Sequence, residues 1–322
     1  TERERCREKI LSEDYIDIVT DIAEYILDVL DLGDDYCRQD VSPSYSVLYI
    51  PRSERNRYSI ERFGYRSIPN LYSLSDTTSV NEIGAIRERN QPALGLRGQG
   101  VLIGFIDTGI DYTNPIFRDA SGNSRIRAIW DQTIQTGSPP EGFLYGTEYR
   151  QEEITRALRS EEPYSIVPSR DSNGHGSAMA SVAVGSATRE FLGAAPDADI
   201  VVVKLKECKQ YLRDFYLLPD NVPAYQENDM LKGLLAELDE NGSTKEGGIQ
   251  VEGLGTNSGD HEGNSALGEF LETIAEKPSR AVVVCGGNEG NAAHHYAGQL
   301  GNGTAESERI GDLGIPESMR DP

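Results

Sequence analysis

Four short apolar runs without polar alternation constrain this chain more than any other feature. They are residues 101–106, 200–205, 249–251 leading to Leu254, and 281–285. A strand with one wet face alternates apolar and polar residues, whereas a run that does not alternate suits a strand buried on both faces, as in a parallel sheet. Helix-compatible segments stand around and between these runs, over residues 177–184, 229–238 and 265–275. Strands alternating with helices predict an α/β domain built on a mainly parallel sheet.

The chain before residue 98 reads differently. Residues 10–32 carry Ile, Leu, Val and Tyr at helix-like spacing and end at Gly33. Residues 46–50 read as a strand stopped by Pro51, and residues 58–65 alternate weakly enough to be its partner. Residues 1–80 are therefore expected to form a small α+β unit and residues 81–322 the larger domain. Residues 73–97 read as a polar linker over a surface. Residues 112–171 read as a long polar insertion holding the sole tryptophan, Trp130, and residues 302–322 show no apolar periodicity.

At 322 residues the chain is long enough for a sizeable core, with 37% hydrophobic and 26% charged residues. Its net charge of -22 argues against nucleic acid and anionic membranes as partners. No apolar run reaches the roughly 18 residues of a membrane span. The charged start, Thr1-Glu2-Arg3-Glu4-Arg5, does not read as a signal peptide and has no Met at position 1. Cys6, Cys37, Cys208 and Cys285 match no zinc-site spacing. A Cys6–Cys37 bridge is one option, and Cys285, on an apolar run, reads as a buried small hydrophobe.

Three polar motifs sit beside these elements. Asp107 closes the first run in Ile106-Asp107-Thr108-Gly109, where a strand end places a carboxylate at the usual functional edge of a parallel sheet. His175 lies between Gly174 and Gly176 at a helix start, open to neighbours and suited to accept a proton near neutral pH. Asn288 follows the last run in Gly286-Gly287-Asn288-Glu289-Gly290, and its amide could donate to a developing oxyanion.

The order Asp, His, Asn resembles that of the subtilisin-like serine proteases (subtilases), over about residues 96–296. Gly193-Ala194-Ala195-Pro196 is similar to the family's Gly-Val-Ala-Pro, and Gly253-Leu254-Gly255 to its Ser-Leu-Gly. Residues 97–112, Ile129-Trp130-Asp131-Gln132-Thr133, Gly255-Thr256-Asn257 and residues 290–296 resemble the clostridial group that includes the spore-germination Csp proteases. The resemblance implies a subtilisin-like catalytic domain, incomplete at its C-terminal side, preceded by a prodomain that helps folding and lays its end in the cleft. It implies catalytic Asp107 and His175, Asn288 in the oxyanion hole, and Gly253, Leu254 and Gly255 binding an extended peptide by strand addition. The implied partners are a peptide or protein substrate and the chain's own prodomain. No cofactor is implied beyond a structural calcium, for which no ligand loop can be read. The family is often extracellular or spore-associated.

No Gly-Thr-Ser-x-Ala stretch follows Asn288, so no nucleophile is assigned. Ser177 adjoins His175 and cannot also face it, and Ser265 reads as a helix N-cap. Two readings stay open: part of a serine endopeptidase whose Ser lies outside this chain, or a pseudoprotease that binds or regulates, for example in spore germination. An aspartic-protease reading of Asp107-Thr108-Gly109 needs a second such motif, which the sequence lacks, or a homodimer, and the α/β pattern is wrong for that all-β fold. His261 and the His294-His295 pair have no metal-ligand spacing, so no metal site is expected.

Overall fold

The computed structural model describes residues 2–20, 35–41, 45–54, 67–74, 96–186, 192–243, 247–256 and 263–286. Its N-terminal part is a helix, α1 (Glu2–Leu11), against an antiparallel sheet of β1 (Tyr15–Thr20), β2 (Cys37–Asp40) and β3 (Ser46–Pro51), in the order β1-β3-β2. The helix expected from residue 10 onward is corrected here. The helix ends at Leu11, and β1 pairs with β3 from Tyr15 opposite Pro51 to Thr20 opposite Ser46. Ile, Val and Thr prefer pleated backbone, and β1 is buried on both faces, which mimics helical spacing in the sequence. The rest of that segment, residues 21–34, lies outside the described residues, as does the expected partner at 58–65. The partners of β3 are β1 and β2. A disulfide between Cys6 and Cys37 ties α1 to β2, with Cα atoms 5.3 Å apart.

A short strand, β4 (Leu71–Leu74), leads toward the main sheet. The first two residues of the expected linker, Ser73 and Leu74, thus belong to a strand; residues 75–95 lie outside the described residues. The main sheet contains β5 (Val101–Asp107), β6 (Ile126–Asp131), β7 (Thr147–Arg150), β8 (Asp199–Lys204), β10 (Gly247–Glu252) and β12 (Arg280–Val284), in the order β12-β10-β5-β8-β6-β7. All neighbours are parallel except β6 and β7. Between β8 and β10 lies β9 (Tyr225–Gln226), and after β10 comes β11 (Leu254–Gly255).

All four apolar runs are strands of this sheet. The reading of residues 112–171 as an insertion is corrected: they supply β6 and β7, then α2 (Gln151–Leu158) and α3 (Pro163–Ile166). Only Arg127 of β6 is exposed, so the strand is buried despite its polar surroundings.

Helices cover both faces. Along β5 alternate side chains point to opposite faces. Ile103 and Phe105 pack with Ala180 and Val184 of α4 (His175–Val184). Ile106 packs with Met230, Leu231 and Leu234 of α6 (Glu227–Ser243), which follows α5 (Gln210–Phe215). Leu267, Phe270 and Ile274 of α7 (Ala266–Ala275) join the same cluster. At the sheet edge among the described residues, Val283 and Val284 of β12 are 51% and 58% exposed.

The N-terminal sheet shares these cores. Val19, Val47 and Tyr49 pack with Trp130, Tyr145 and Leu234, while Ile16, Ile18, Leu48 and Ile50 pack with Tyr211, Leu212 and Ala224. Buried Asp17 of β1 lies inside the contact, paired with Lys209 and accepting from the amides of Gln226 (2.6 Å) and Asn228 (2.8 Å). The hydroxyl of Tyr211 donates to the Asp17 carbonyl (3.0 Å) and accepts its N–H (2.9 Å). Lys206 pairs with Asp229 close by, and the Tyr145 hydroxyl donates to that carboxylate (2.6 Å).

Candidate active site

The register of β5 sets the site. Asp107 stands opposite Lys204 of β8, and Ile106 opposite Glu252 of β10, so Asp107 is level with Gly253 at the carboxyl edge of the sheet. Asp107 shares the β5 face of Ile103 and Phe105, which is the face that α4 covers. The first residue of α4 is His175, and its Nδ1 lies 2.8 Å from Oδ1 and 3.0 Å from Oδ2 of Asp107. Asp107 is 1% exposed and Oδ1 also accepts the Thr108 N–H at 2.7 Å, so the carboxylate is oriented from two sides. His175 is half-buried.

Glycines permit this approach. Gly174 has φ +90°, a left-handed turn that admits the chain to α4. Gly176 is needed for close packing: a Cβ there would stand 2.2 Å from the Gly109 carbonyl oxygen and 3.1 Å from the Asp107 Cβ. Gly176 thus seats the helix on β5, a packing role that the sequence did not suggest. A Cβ on Gly253 would lie 2.7 Å from Asp107 Oδ2 and 3.2 Å from His175 Cε1. The backbone at Gly253 therefore abuts the Asp107–His175 pair.

Leu254 and Gly255 form β11, whose partner is β4. Leu254 stands opposite Leu74 and Gly255 opposite Ser73, antiparallel. On its other side β4 pairs with β9, Leu71 opposite Gln226 and Tyr72 opposite Tyr225. Among the described residues β4, a segment of the chain's own N-terminal part, thus lies between β9 and β11, the strand that follows Gly253. A cavity of about 300 Å³ adjoins it, lined in part by Thr108, Asn173, Leu205, Glu207 and Tyr225. Burial pushes the Tyr225 phenol well above its ordinary range, and the negative charges of Glu207, Asp107 and Asp171 add to that.

The two serines that imitate a nucleophile are occupied. The Ser177 hydroxyl donates to Asp171 Oδ2 (2.7 Å) and accepts the Asp111 N–H (2.8 Å). Ser265 is the N-cap of α7 and accepts the Gly268 N–H at 3.0 Å. Cys285 is half-buried rather than buried; β12 ends the sheet among the described residues. Its Sγ donates to the Leu254 carbonyl at 3.1 Å. Asn288, His261 and the His294-His295 pair lie outside the described residues. Among the described residues no group of three or more His, Cys, Asp or Glu side chains gathers as a metal site. None of the described helices is long and apolar enough to cross a membrane.

Asp171 is not among the residues that the sequence motifs mark. It accepts from Thr108, Gly174 and Ser177. Burial alone would raise its carboxyl, but these hydrogen bonds outweigh that and hold it below the usual carboxylate range. An acidic residue just ahead of a glycine-opened helix start was the available signal.

The parallel sheet carries a His–Asp pair at its carboxyl edge, and the chain belongs to the Subtilase family, whose pattern matches residues 98–307. Among solved structures it is similar to the Clostridium perfringens CspB protease, with a TM-score of 0.56 and 32% identity over 68% of this chain and 42% of that one. Two Arabidopsis thaliana relatives are 33% identical over shorter stretches. Subtilisin-like protease SBT2.3 matches over 100 residues, 28% of this chain and 12% of the relative. Subtilisin-like protease SBT2.2 matches over 99 residues, 28% of this chain and 11% of the relative. The chain thus spans under half of each of these proteins.

Proposed function

We propose that the chain supplies the acid–base half of a subtilisin-type serine endopeptidase acting on peptide or protein substrates. The observation that carries this reading is the 2.8 Å contact between His175 Nδ1 and buried Asp107. With Nδ1–H bonded to the carboxylate, Nε2 is the basic nitrogen, ready to take a proton from an attacking serine hydroxyl. Asp107 then stabilises the imidazolium, which returns the proton to the leaving amine. Asn288 is assigned to the oxyanion, and Gly253, Leu254 and Gly255 to the substrate backbone. In this reading β4 stands where an extended peptide would bind, which supports a prodomain role for residues 1–80.

A second reading is a binding or regulatory protein that does not hydrolyse peptides, in spore germination for example. It, too, accommodates 322 residues without a Gly-Thr-Ser-x-Ala stretch. A fluorophosphonate probe separates the two when applied to this chain and to the product of the full reading frame that surrounds it. Labelling of the full product, abolished by H175A, is the expected result. Absence of labelling in a folded full product would establish the second reading. Labelling of the 322-residue chain at Ser177 or Ser265 would overturn the site assignment.

A further inference from the structure

Two elements meet at the candidate site, the carboxyl end of β5 and the first turn of α4, and the Asp107–His175 pair spans them. A separate ring of hydrogen bonds spans the same gap. The Thr108 hydroxyl donates to Asp171 Oδ1 (2.8 Å) and accepts the Gly176 N–H (2.9 Å). The Ser177 hydroxyl donates to Asp171 Oδ2 (2.7 Å) and accepts the Asp111 N–H (2.8 Å). Asp171 also accepts the N–H groups of Gly174 (2.8 Å, to Oδ1) and Ser177 (2.8 Å, to Oδ2).

Each hydroxyl is used as both donor and acceptor, so the direction of every bond in the ring is fixed. The first N–H groups of a helix have no partner within it. Here Asn173 takes that of His175 (3.3 Å), Thr108 that of Gly176 and Asp171 that of Ser177. Thr108 and Asp111 flank the turn after β5, so the capping of α4 and its attachment to β5 are one structure. The carboxylate also faces the positive end of the ten-residue α4.

We infer that Asp171 is a positioning residue: with Thr108 and Ser177 it locks the first turn of α4 to the end of β5 and so fixes the distance and angle between His175 and Asp107. The inference rests on the proposed role of that pair. A geometry of this kind must be held to about 0.5 Å to be productive, and supporting hydrogen bonds commonly supply that precision. Asn in place of Asp171 keeps the shape but turns one acceptor into a donor, so it must break part of the ring. Ala in place of Ser177 removes one hydroxyl without changing any charge, and Thr restores it.

The test reads the pair directly and needs no nucleophile. In proton NMR of the 322-residue chain, an imidazole Nδ1–H held against a carboxylate gives a sharp resonance far downfield of the amides, assigned to His175 by its loss in H175Q. Wild type and S177T are expected to show it. S177A and D171N are expected to lose it, through exchange with water, while circular dichroism shows the fold retained. Should D171N fail to fold, S177A against S177T decides alone. A resonance kept in S177A and D171N, with only the melting temperature lowered, overturns the positioning role and leaves the proposed function standing. Absence of the resonance in the wild type overturns the His–Asp reading itself.

Discussion

Lys232 is the residue whose chemistry the fold perturbs most plainly. It lies on α6, 2% exposed, with its ammonium against the Tyr49 hydroxyl and near the rings of Tyr49 and Tyr145, at 4.7 Å and 5.2 Å. Burial pulls its amine down from 10.5 to about 7, and the negative charge of Asp17 only partly opposes this. The folded value is therefore below the unfolded one. Below pH 7 both states carry the proton and the folded state bears the whole penalty. Between about pH 7 and 10 the unfolded chain binds more protons, so stability rises with pH across that window. Lys232→Met is expected to stabilise the protein at pH 6 by about 1–4 kcal/mol, with the gain shrinking towards pH 10. Urea titrations at pH 6 and 9.5 measure this, and a gain equal at both pH values would contradict it. At this scale the sequence was unevenly legible. Asp107 and His175 announce themselves because each sits at a strand end or glycine-opened helix start. Lys232 and Asp171 do not, because a charge within helical or loop sequence looks solvated until the fold packs something against it.

The same contrast holds for whole elements. Strands β5, β8, β10 and β12 are legible because parallel strands covered on both sides have no reason to alternate. Strand β6 is hidden by Arg127 and its polar flanks, and β1 imitates a helix. The short strands β4, β9 and β11 exist through their pairing, which no local pattern encodes. If β4 occupies the place of a peptide in a groove between β9 and β11, loosening it should favour an added peptide. Tyr72, 7% exposed, is its buried anchor. Large aromatic-to-Ala changes in buried sites cost about 3–5 kcal/mol, and each 1.4 kcal/mol lost from an intramolecular competitor is worth about tenfold in apparent affinity. Tyr72→Ala is thus expected to strengthen binding of a labelled peptide copying residues 69–74 by at least about tenfold. Fluorescence anisotropy reads the change, and equal affinity for both proteins would mean that β4 does not compete for the groove.

The N-terminal sheet and the main sheet share clusters of apolar side chains, so on the scale of the molecule they should not unfold independently. Asp17 is the point on which this can be tested, because it belongs to β1 while its partners Lys209, Gln226, Asn228 and Tyr211 all follow β8. Removing one member of a buried ion pair leaves the other charge uncompensated, at a cost of about 3–5 kcal/mol. In Asp17→Asn the Lys209 ammonium keeps the Tyr15 carbonyl at 3.1 Å but loses its counter-charge. Burial already draws the Lys209 amine below its ordinary value against the pull of Asp17, so without that carboxylate it should fall further and shed part of the penalty by deprotonation. The expected loss is therefore about 3 kcal/mol near neutral pH and smaller in alkali. Trp130 reports on the far side of the contact, because it is the sole tryptophan and lies in the main sheet against Phe143 and Tyr145. If the two sheets form one cooperative unit, its fluorescence and the far-ultraviolet dichroism shift to lower urea together in Asp17→Asn. A Trp130 midpoint that stays in place while the dichroism splits into two steps would show that the N-terminal sheet opens separately, and that the charges around Asp17 fasten a detachable unit.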